Sequence, residues 1–341
     1  MHENLELQQL VDDEQEDEMK IHEPTPFCKC PYLGLLLATL SSLFFSLCSV
    51  IVKWMTDVNP MALAAYRYVG VLLPAIPIVI YRQEKMFPKG KRIMLLLRSF
   101  TGTAALMLSF YAFRHMPLAD ASVIVFSVPV FTGIFARMFL NEPCGLFNIF
   151  SVILTLVGVI FITRPPMLFG DTVNSLGETG QRPEMWGAVA AFSATLFGAN
   201  AYVLLRALKG IHFSVIMMNF GSFALVQCLL VTVLIGALCL PACGIDRYLI
   251  VALALFSFLG QILLTLALQM EQAGPVAIAR SSDIVFAFIW QVLFFDEIPN
   301  KFSIGGAILV MSSVLLTGLR KWVLALPHDA SLRKNFSLLA K

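Results

Sequence analysis

The sequence predicts an all-α integral membrane protein with ten transmembrane helices, arranged as two inverted five-helix repeats around a central cavity. Its composition, the length of its apolar runs and an internal similarity lead to this prediction. Of the 341 residues, 58% are hydrophobic and only 13% are charged, whereas soluble proteins carry about 25% charged residues. A chain of this composition is expected to lie in a lipid bilayer.

The apolar runs have the length of membrane-spanning helices. A helix rises 1.5 Å per residue and the hydrocarbon layer is about 30 Å thick, so about 20 apolar residues form one span. Most connections between the runs are very short, which predicts that neighbouring helices are antiparallel. Ten such runs occur, at residues 32–54, 60–81, 93–114, 118–140, 146–163, 185–208, 212–236, 247–270, 274–296 and 302–321.

Basic residues between the runs predict the orientation in the membrane. The connection at residues 83–92 carries three lysines and an arginine, and basic loops of this kind stay on the cytosolic side. With ten spans, both termini then lie in the cytosol. They form an acidic N-terminal tail at residues 1–31 and a C-terminal tail at residues 322–341.

The two halves of the chain resemble each other. A longer polar segment at residues 164–184 separates residues 32–163 from residues 185–321. Because each half contains an odd number of spans, the second half must enter the membrane upside down. Inverted repeats of this kind are a recurring construction of secondary transporters. A gapless alignment of residues 110–154 with 265–309 pairs Ala112 with Ala267, Ser127 with Ser282, Phe139 with Phe294 and Glu142 with Glu297.

The repeated pattern also resembles a known family. The first half carries Tyr-Ala, Pro-Leu-Ala-Asp-Ala, Ser-x-Pro-Val-Phe, Phe-Leu-x-Glu and Gly-Val at residues 111–112, 117–121, 127–131, 139–142 and 158–159. This pattern is similar to the EamA domain of the drug/metabolite transporter superfamily. Within that superfamily, residues 164–170 and 271–295 most resemble the G branch of solute carrier family 35.

The resemblance implies a secondary transporter whose cavity is lined by the first four helices of each repeat. For the G branch it implies a small organic anion such as citrate as the solute, and we expect transport by alternating access. Calcium homeostasis at the endoplasmic reticulum or plasma membrane is associated with the same branch. A non-transporting regulator of other membrane proteins is therefore the alternative function, and a nucleotide-sugar carrier is a further alternative.

Ionisable side chains inside the apolar runs are the first candidates for a site, because charges are costly in hydrocarbon. Arg67, Arg98, Arg280 and Asp283 are the deepest of them. Arg280 and Asp283 share one helix face, so they form an internal ion pair or part of a solute site. For Lys53, Arg137 and Arg206, which lie nearer the helix ends, we expect the long side chains to reach the membrane surface.

The sign of the deep charges predicts the sign of the solute. Three arginines against one aspartate attract anions, and a guanidinium group binds a carboxylate through two parallel hydrogen bonds. Tyr111, Ser127 and Ser282 could also donate hydrogen bonds to a carboxylate, although serine in membrane helices often serves close packing instead.

Other classes of function find no support in the sequence. It contains no G-x-G-x-x-G, Walker A, nucleophile-elbow or H-E-x-x-H motif and no cysteine or histidine spacing suited to a metal. We therefore expect no enzyme, no metal site and no cofactor. Nucleic acid is not an expected partner, because the charges outside the spans are confined to the tails and short loops. Besides the solute and the bilayer, the sequence leaves room for a membrane-protein partner or a homodimer.

Overall fold

The computed structural model describes residues 32–55, 58–83, 86–88, 90–115, 121, 124–142, 145–163, 182–234, 236, 244–295 and 301–325. The predicted N-terminal tail, most of the predicted connecting segment at residues 164–184 and most of the predicted C-terminal tail lie outside these residues. The basic connection at residues 83–92 is described in part.

Eleven helices make up the described part of the chain, which contains no strand. In chain order they are α1 (Leu33–Trp54), α2 (Pro60–Arg82), α3 (Arg92–His115), α4 (Val128–Leu140), α5 (Leu146–Thr163), α6 (Arg182–Ala207), α7 (Phe213–Leu234), α8 (Ile245–Met270), α9 (Ala273–Arg280), α10 (Ser282–Phe295) and α11 (Lys301–Ala325).

Seven helical segments are long and apolar enough to cross a membrane, with α9 and α10 together forming one of them. Shorter apolar stretches of 10–17 residues lie within α4, α5 and α11. The prediction of an all-helical, multi-pass membrane protein is therefore confirmed for the described residues.

The fourth and ninth predicted helices are interrupted, whereas the sequence predicted each as continuous. Residues 126–127 form a turn before α4, and Ser281 separates α9 from α10. At both places the backbone makes i to i−3 hydrogen bonds, from Ser127 N–H to the Ile124 carbonyl at 3.1 Å and from Ser281 N–H to the Ile278 carbonyl at 3.0 Å. Each interruption is thus a single tightened turn.

Serine side chains explain why the helices tighten there. The hydroxyl of Ser127 donates to the Ile124 carbonyl, and that of Ser282 donates to the Ala279 carbonyl, both at 2.6 Å. Such bonds compete with the helical hydrogen bonds of the backbone. Near Ser127, Pro129 removes a further N–H donor and its ring disfavours a continuous helix.

Each interruption also accepts a hydrogen bond from a distant helix. Thr195 of α6 donates its hydroxyl to the Ile124 carbonyl at 2.8 Å, and Ser42 of α1 donates to the Arg280 carbonyl at 3.2 Å. Ser42 lies in the first helix of the first half and Thr195 in the first helix of the second half. Carbonyl groups that the tightened turns expose are therefore satisfied from outside their own helix, as a low-dielectric environment requires.

The helices pack mainly in pairs that join the first half of the chain to the second. The most extensive contacts join α3 to α6, α1 to α8, α2 to α7 and α5 to α11. Where α5 crosses α11, Gly158 and Gly306 bring the two backbones together, and a Cβ atom on Gly306 would lie 2.5 Å from the Gly158 carbonyl oxygen. Small residues allow such close crossings in membranes. Between the other helices the side chains leave a cavity.

Candidate functional site

A cavity of about 260 Å³ opens between the helices. Apolar side chains make up most of its wall, and three arginines, two tyrosines and a few other polar groups interrupt them. The segment before α4 and the helices α2, α3, α4, α6, α7, α8 and α9 contribute to it. The polar members are Arg67, Tyr68, Arg98, Ser109, Tyr202, Ser257, Gln261 and Arg280.

Arg98 is the most deeply buried of the three arginines, with only 5% of its surface exposed. Its guanidinium carbon lies 4.4 Å from the centroid of the Phe220 ring on α7, a cation–π contact. The Nε and Nη1 atoms of Arg98 are buried and have no hydrogen-bond partner among the described residues. Arg98 therefore offers two unused donors beside the cavity.

Gly102 gives Arg98 the space that it occupies. It lies one helical turn further along α3, and a Cβ atom placed on it would overlap Nη1 of Arg98 and lie 3.0 Å from the Phe220 ring. The absence of a side chain at this position therefore lets the guanidinium group lie against the backbone of its own helix.

Arg67 and Arg280 share one aromatic ring. The guanidinium carbon of Arg67 lies 4.9 Å, and that of Arg280 lies 4.7 Å, from the centroid of Phe45 on α1. Gly260 of α8 lies beside the same ring, since a Cβ atom there would be 3.2 Å from it. Like charges repel, so an aromatic ring that attracts both cations stabilises their approach.

Asp283 supplies the negative charge nearest to Arg280. Nη2 of Arg280 donates to Oδ2 of Asp283 at 3.4 Å, and Nε of Arg280 donates to the Tyr202 hydroxyl at 3.3 Å. Nη1 of Arg280 and Oδ1 of Asp283 are buried, and neither has a hydrogen-bond partner in the part of the chain that the structure describes. The two residues flank the tightened turn at Ser281, since Arg280 ends α9 and Asp283 lies in the first turn of α10.

The predicted site residues do not all converge. Arg67, Arg98 and Arg280 line the cavity, and Asp283 lies behind Arg280. Ser127 and Ser282 use their hydroxyls within the tightened turns. Tyr111 lies near the end of α3 with 43% of its surface exposed, where its ring stacks on His115. Tyr111, Ser127 and Ser282 are not among the residues that line the described cavity.

Several residues that line the cavity or pack against its arginines were not singled out from the sequence. Tyr202, Phe45, Phe220 and Gly102 hold or accommodate the guanidinium groups, yet aromatic residues and glycines occur throughout the chain. Gln261 also lines the cavity. The sequence does carry one signal for Gly102. It follows Arg98 by four residues, a spacing that places both on one helix face.

A second polar cluster lies at the helix ends. Arg206 forms an ion pair with Glu142, with 3.3 Å between Nε and Oε1, and Nη1 of Arg206 donates to the carbonyls of Leu268 and Gln269 at 3.1 and 3.0 Å. The Ala273 N–H donates to Oε2 of Glu142 at 3.0 Å. We call these five residues the Glu142–Arg206 cluster. Arg206 is thus anchored by protein groups, although the sequence suggested that it reaches the membrane surface.

The cluster joins helix ends from both halves of the chain. Glu142 follows α4 and receives the N-terminus of α9, and Arg206 receives the C-terminus of α8. Each charge therefore faces the helix end of opposite partial charge. Burial raises the pKa of Glu142 above its usual value, while the Ala273 N–H and the Arg206 guanidinium act in the opposite direction.

Comparison with known proteins gives three findings. The EamA-like transporter family matches the chain twice, over residues 32–164 and 185–319. Solute carrier family 35 member G1 of Homo sapiens is 40% identical over 295 residues, which cover 86% of this chain and 80% of that protein. The pseudopaline exporter CntI of Pseudomonas aeruginosa is 29% identical over 292 residues, covering 84% of this chain and 97% of the exporter.

The fold also resembles those of solved structures, among them a crystal structure of a protein. That structure superposes with a TM-score of 0.71 over 86% of this chain and 99% of its own length, at 15% sequence identity. At that identity the likeness concerns the fold alone.

Proposed function

This chain belongs to the EamA-like transporter family, and from that premise we propose that it is a secondary transporter of a small organic anion. Its relatives are membrane transporters rather than enzymes. The proposed solute is a carboxylate such as citrate, and the proposed mechanism is alternating access. The cavity is the proposed binding site.

The observation that carries this proposal is the set of unused donors in the cavity. Arg98 and Arg280 contribute three buried guanidinium nitrogens without a partner among the described residues. A buried donor without an acceptor is costly, and a charged one is more so. A carboxylate entering the cavity would accept hydrogen bonds from these nitrogens and offset the positive charge. An uncharged solute could accept these hydrogen bonds but would leave the positive charge uncompensated, and a cationic solute would add to it.

The proposed architecture comprises ten spans in two inverted five-helix repeats with cytosolic termini. Reciprocal packing supports it, because α3 with α6 and α1 with α8 are equivalent pairs once the halves are exchanged. The hydroxyls of Thr195 and Ser42, each of which reaches the tightened turn of the other half, support it as well. In this architecture the ends of α4, α6 and α8 and the start of α9 lie on the cytosolic side.

Alternating access requires that one end of the cavity be closed while the other is open. The Glu142–Arg206 cluster joins the two halves at the proposed cytosolic side. It is a suitable closure, because water can replace each of its hydrogen bonds when the halves separate. Interrupted helices on both sides of the cavity supply places where the halves can bend.

Uptake of labelled citrate into liposomes that contain the purified chain tests the proposal. We expect saturable uptake by the unmodified protein and a loss of about ten-fold or more in Arg98→Gln and Arg280→Gln, because each removes a buried charge that faces the solute. Arg247→Gln, at the exposed start of α8, is the matched control and should leave uptake unchanged.

The outcomes separate the candidate functions. Absence of saturable citrate or succinate uptake would contradict carboxylate transport. Competition by nucleotide sugars at lower concentration than citrate would favour a nucleotide-sugar carrier. Intact uptake in both cavity variants would mean that the solute binds elsewhere.

A further inference from the structure

Asp283 is placed beside the solute site without forming part of its wall. Its carboxylate lies behind Arg280, which does line the cavity. The two side chains project from different helices, because the tightened turn at Ser281 lies between them. Asp283 is therefore the negative partner of Arg280, the side chain that binds the solute in the proposed function.

The ion pair between them is incomplete. A guanidinium and a carboxylate can form two parallel hydrogen bonds of about 2.7–2.9 Å. Here a single contact of 3.4 Å joins Nη2 of Arg280 to Oδ2 of Asp283. The remaining carboxylate oxygen, Oδ1, and the Nη1 group of Arg280 are both buried and without a partner among the described residues. Each charge is therefore only partly compensated, although each has been removed from water.

Arg280 has supports that do not depend on Asp283. Its backbone carbonyl accepts a hydrogen bond from Ser42, its Nε atom donates to Tyr202, and its guanidinium lies against Phe45. These contacts come from α1 and α6. Loss of the bond to Asp283 would thus leave Arg280 in the cavity wall, with more of its donors directed at a solute.

We propose that Asp283 is an internal counter-ion, which occupies Arg280 in the empty transporter and is displaced by a carboxylate of the solute. This inference rests on the proposed function. Asp283 then sets the affinity for the solute without touching it, since binding must compete with a tethered carboxylate. The same competition returns Arg280 to Asp283 when the solute leaves, and so it accelerates release.

The neutral variant Asp283→Asn gives a prediction that a purely structural ion pair would not. Citrate binding to the purified full-length chain, measured by isothermal titration calorimetry, should become tighter by about ten-fold, because the competing charge is gone. Citrate exchange across liposomes should become slower, because release loses its internal competitor. Asp246→Asn neutralises a carboxylate at the start of α8, outside the cavity, and should change neither quantity.

Each result bears on the inference. Unchanged or weaker binding in Asp283→Asn, with normal binding by the unmodified chain, would overturn it and leave the proposed function intact. Failure of both proteins to bind citrate would overturn the proposed function and this inference together. Asp283→Ala serves as a second neutral variant. If neither variant yields folded protein even at saturating citrate, the pair is indispensable to the fold and cannot be the exchangeable contact proposed here.

Discussion

At the scale of single residues, Arg98 shows how a cation is held in an apolar helix bundle. Its charge faces an aromatic ring, its stem lies along its own helix, and Gly102 supplies the space beside it. None of these contacts neutralises the charge. The guanidinium group is therefore positioned but not satisfied, which suits a group that binds an anion.

Gly102→Ala should displace the Arg98 guanidinium, because the added methyl group would occupy the position of Nη1. We expect citrate uptake to fall by about ten-fold, as expected when a buried charged contact is misplaced. Gly198→Ala is the matched control, since that glycine also lines the cavity and its Cβ atom would make an ordinary contact at 3.4 Å with Val128. Equal uptake by the two variants would show that Gly102 does not position Arg98.

The sequence was sufficient to predict the cationic residues of the cavity and the pairing of Arg280 with Asp283, but not their aromatic partners. Arg67, Arg98 and Arg280 stand out because a charge within an apolar run is rare and costly. Tyr202 and Phe45 do not stand out, because aromatic residues are common in membrane helices and only the packing of α1 and α6 brings these two to the arginines. Assignment of all seven predicted residues to the solute stays a prediction.

At the scale of helices, the interruptions were the main difference from the sequence-based prediction. Continuous apolar runs gave no sign of the turn at Ser281, since two serines are compatible with an unbroken helix. Pro129 lies just after the turn before α4, where its ring and missing N–H disfavour a continuous helix. Hydroxyl groups that bond back to carbonyls decide the geometry at both places, and this depends on a rotamer that a sequence does not specify.

The Glu142–Arg206 cluster should behave as a coupled unit. Glu142→Gln and Arg206→Gln should each lower the apparent melting temperature of the purified chain, and the double variant should lower it no further. The free energies of unfolding should then show a coupling between the two substitutions of about 1–3 kcal/mol. Each single variant leaves a partly buried charge without its counter-ion, and the double variant does not. Lys209→Gln combined with Glu142→Gln is the control pair and should be additive, because Lys209 is exposed. Additivity of the Glu142 and Arg206 changes would argue against a closure formed by this pair.

The crossing of α5 and α11 offers a comparison of two adjacent glycines. Gly306→Ala should destabilise the chain by about 1–3 kcal/mol, because its Cβ atom would meet the Gly158 carbonyl and Ile162. Gly305→Ala adds its Cβ atom to open space and should be neutral or slightly stabilising, since alanine favours a helix. Thermal unfolding followed by intrinsic fluorescence distinguishes the two. Equal melting temperatures would mean that the helices separate easily at this crossing.

At the scale of the whole molecule, helices from both halves of the chain surround one cavity. The halves do not pack as separate bodies, because the most extensive helix contacts join one half to the other. Helix α1 packs on α8, and α3 packs on α6, so each half depends on the other for its partners. A central cavity could be expected from the internal repeat. The identity of the helices that meet across it required the three-dimensional arrangement.

The proposed orientation places Lys209 and Tyr248 on opposite sides of the membrane, since they lie at the two ends of the α7–α8 pair. In a chain whose accessible native cysteines are replaced, an impermeant maleimide should label Tyr248→Cys from the non-cytosolic side of sealed vesicles and Lys209→Cys only after permeabilisation. Both side chains are exposed. Labelling of both from one side would contradict the ten-span architecture.

The contact between Arg98 and Phe220 has a consequence for biosynthesis. Ribosomes deliver α3 to the translocation machinery before α7 exists, and an isolated helix with an arginine in its second turn is poorly retained in lipid, where a charge costs about 2.5–3.5 kcal/mol at the centre of a span. Until α7 arrives, the nascent α3 must keep its guanidinium near water at the membrane surface or within the translocon. Its final depth is therefore a late event in assembly, and ribosome-stalled chains that end before α7 should retain a shallow, extractable α3.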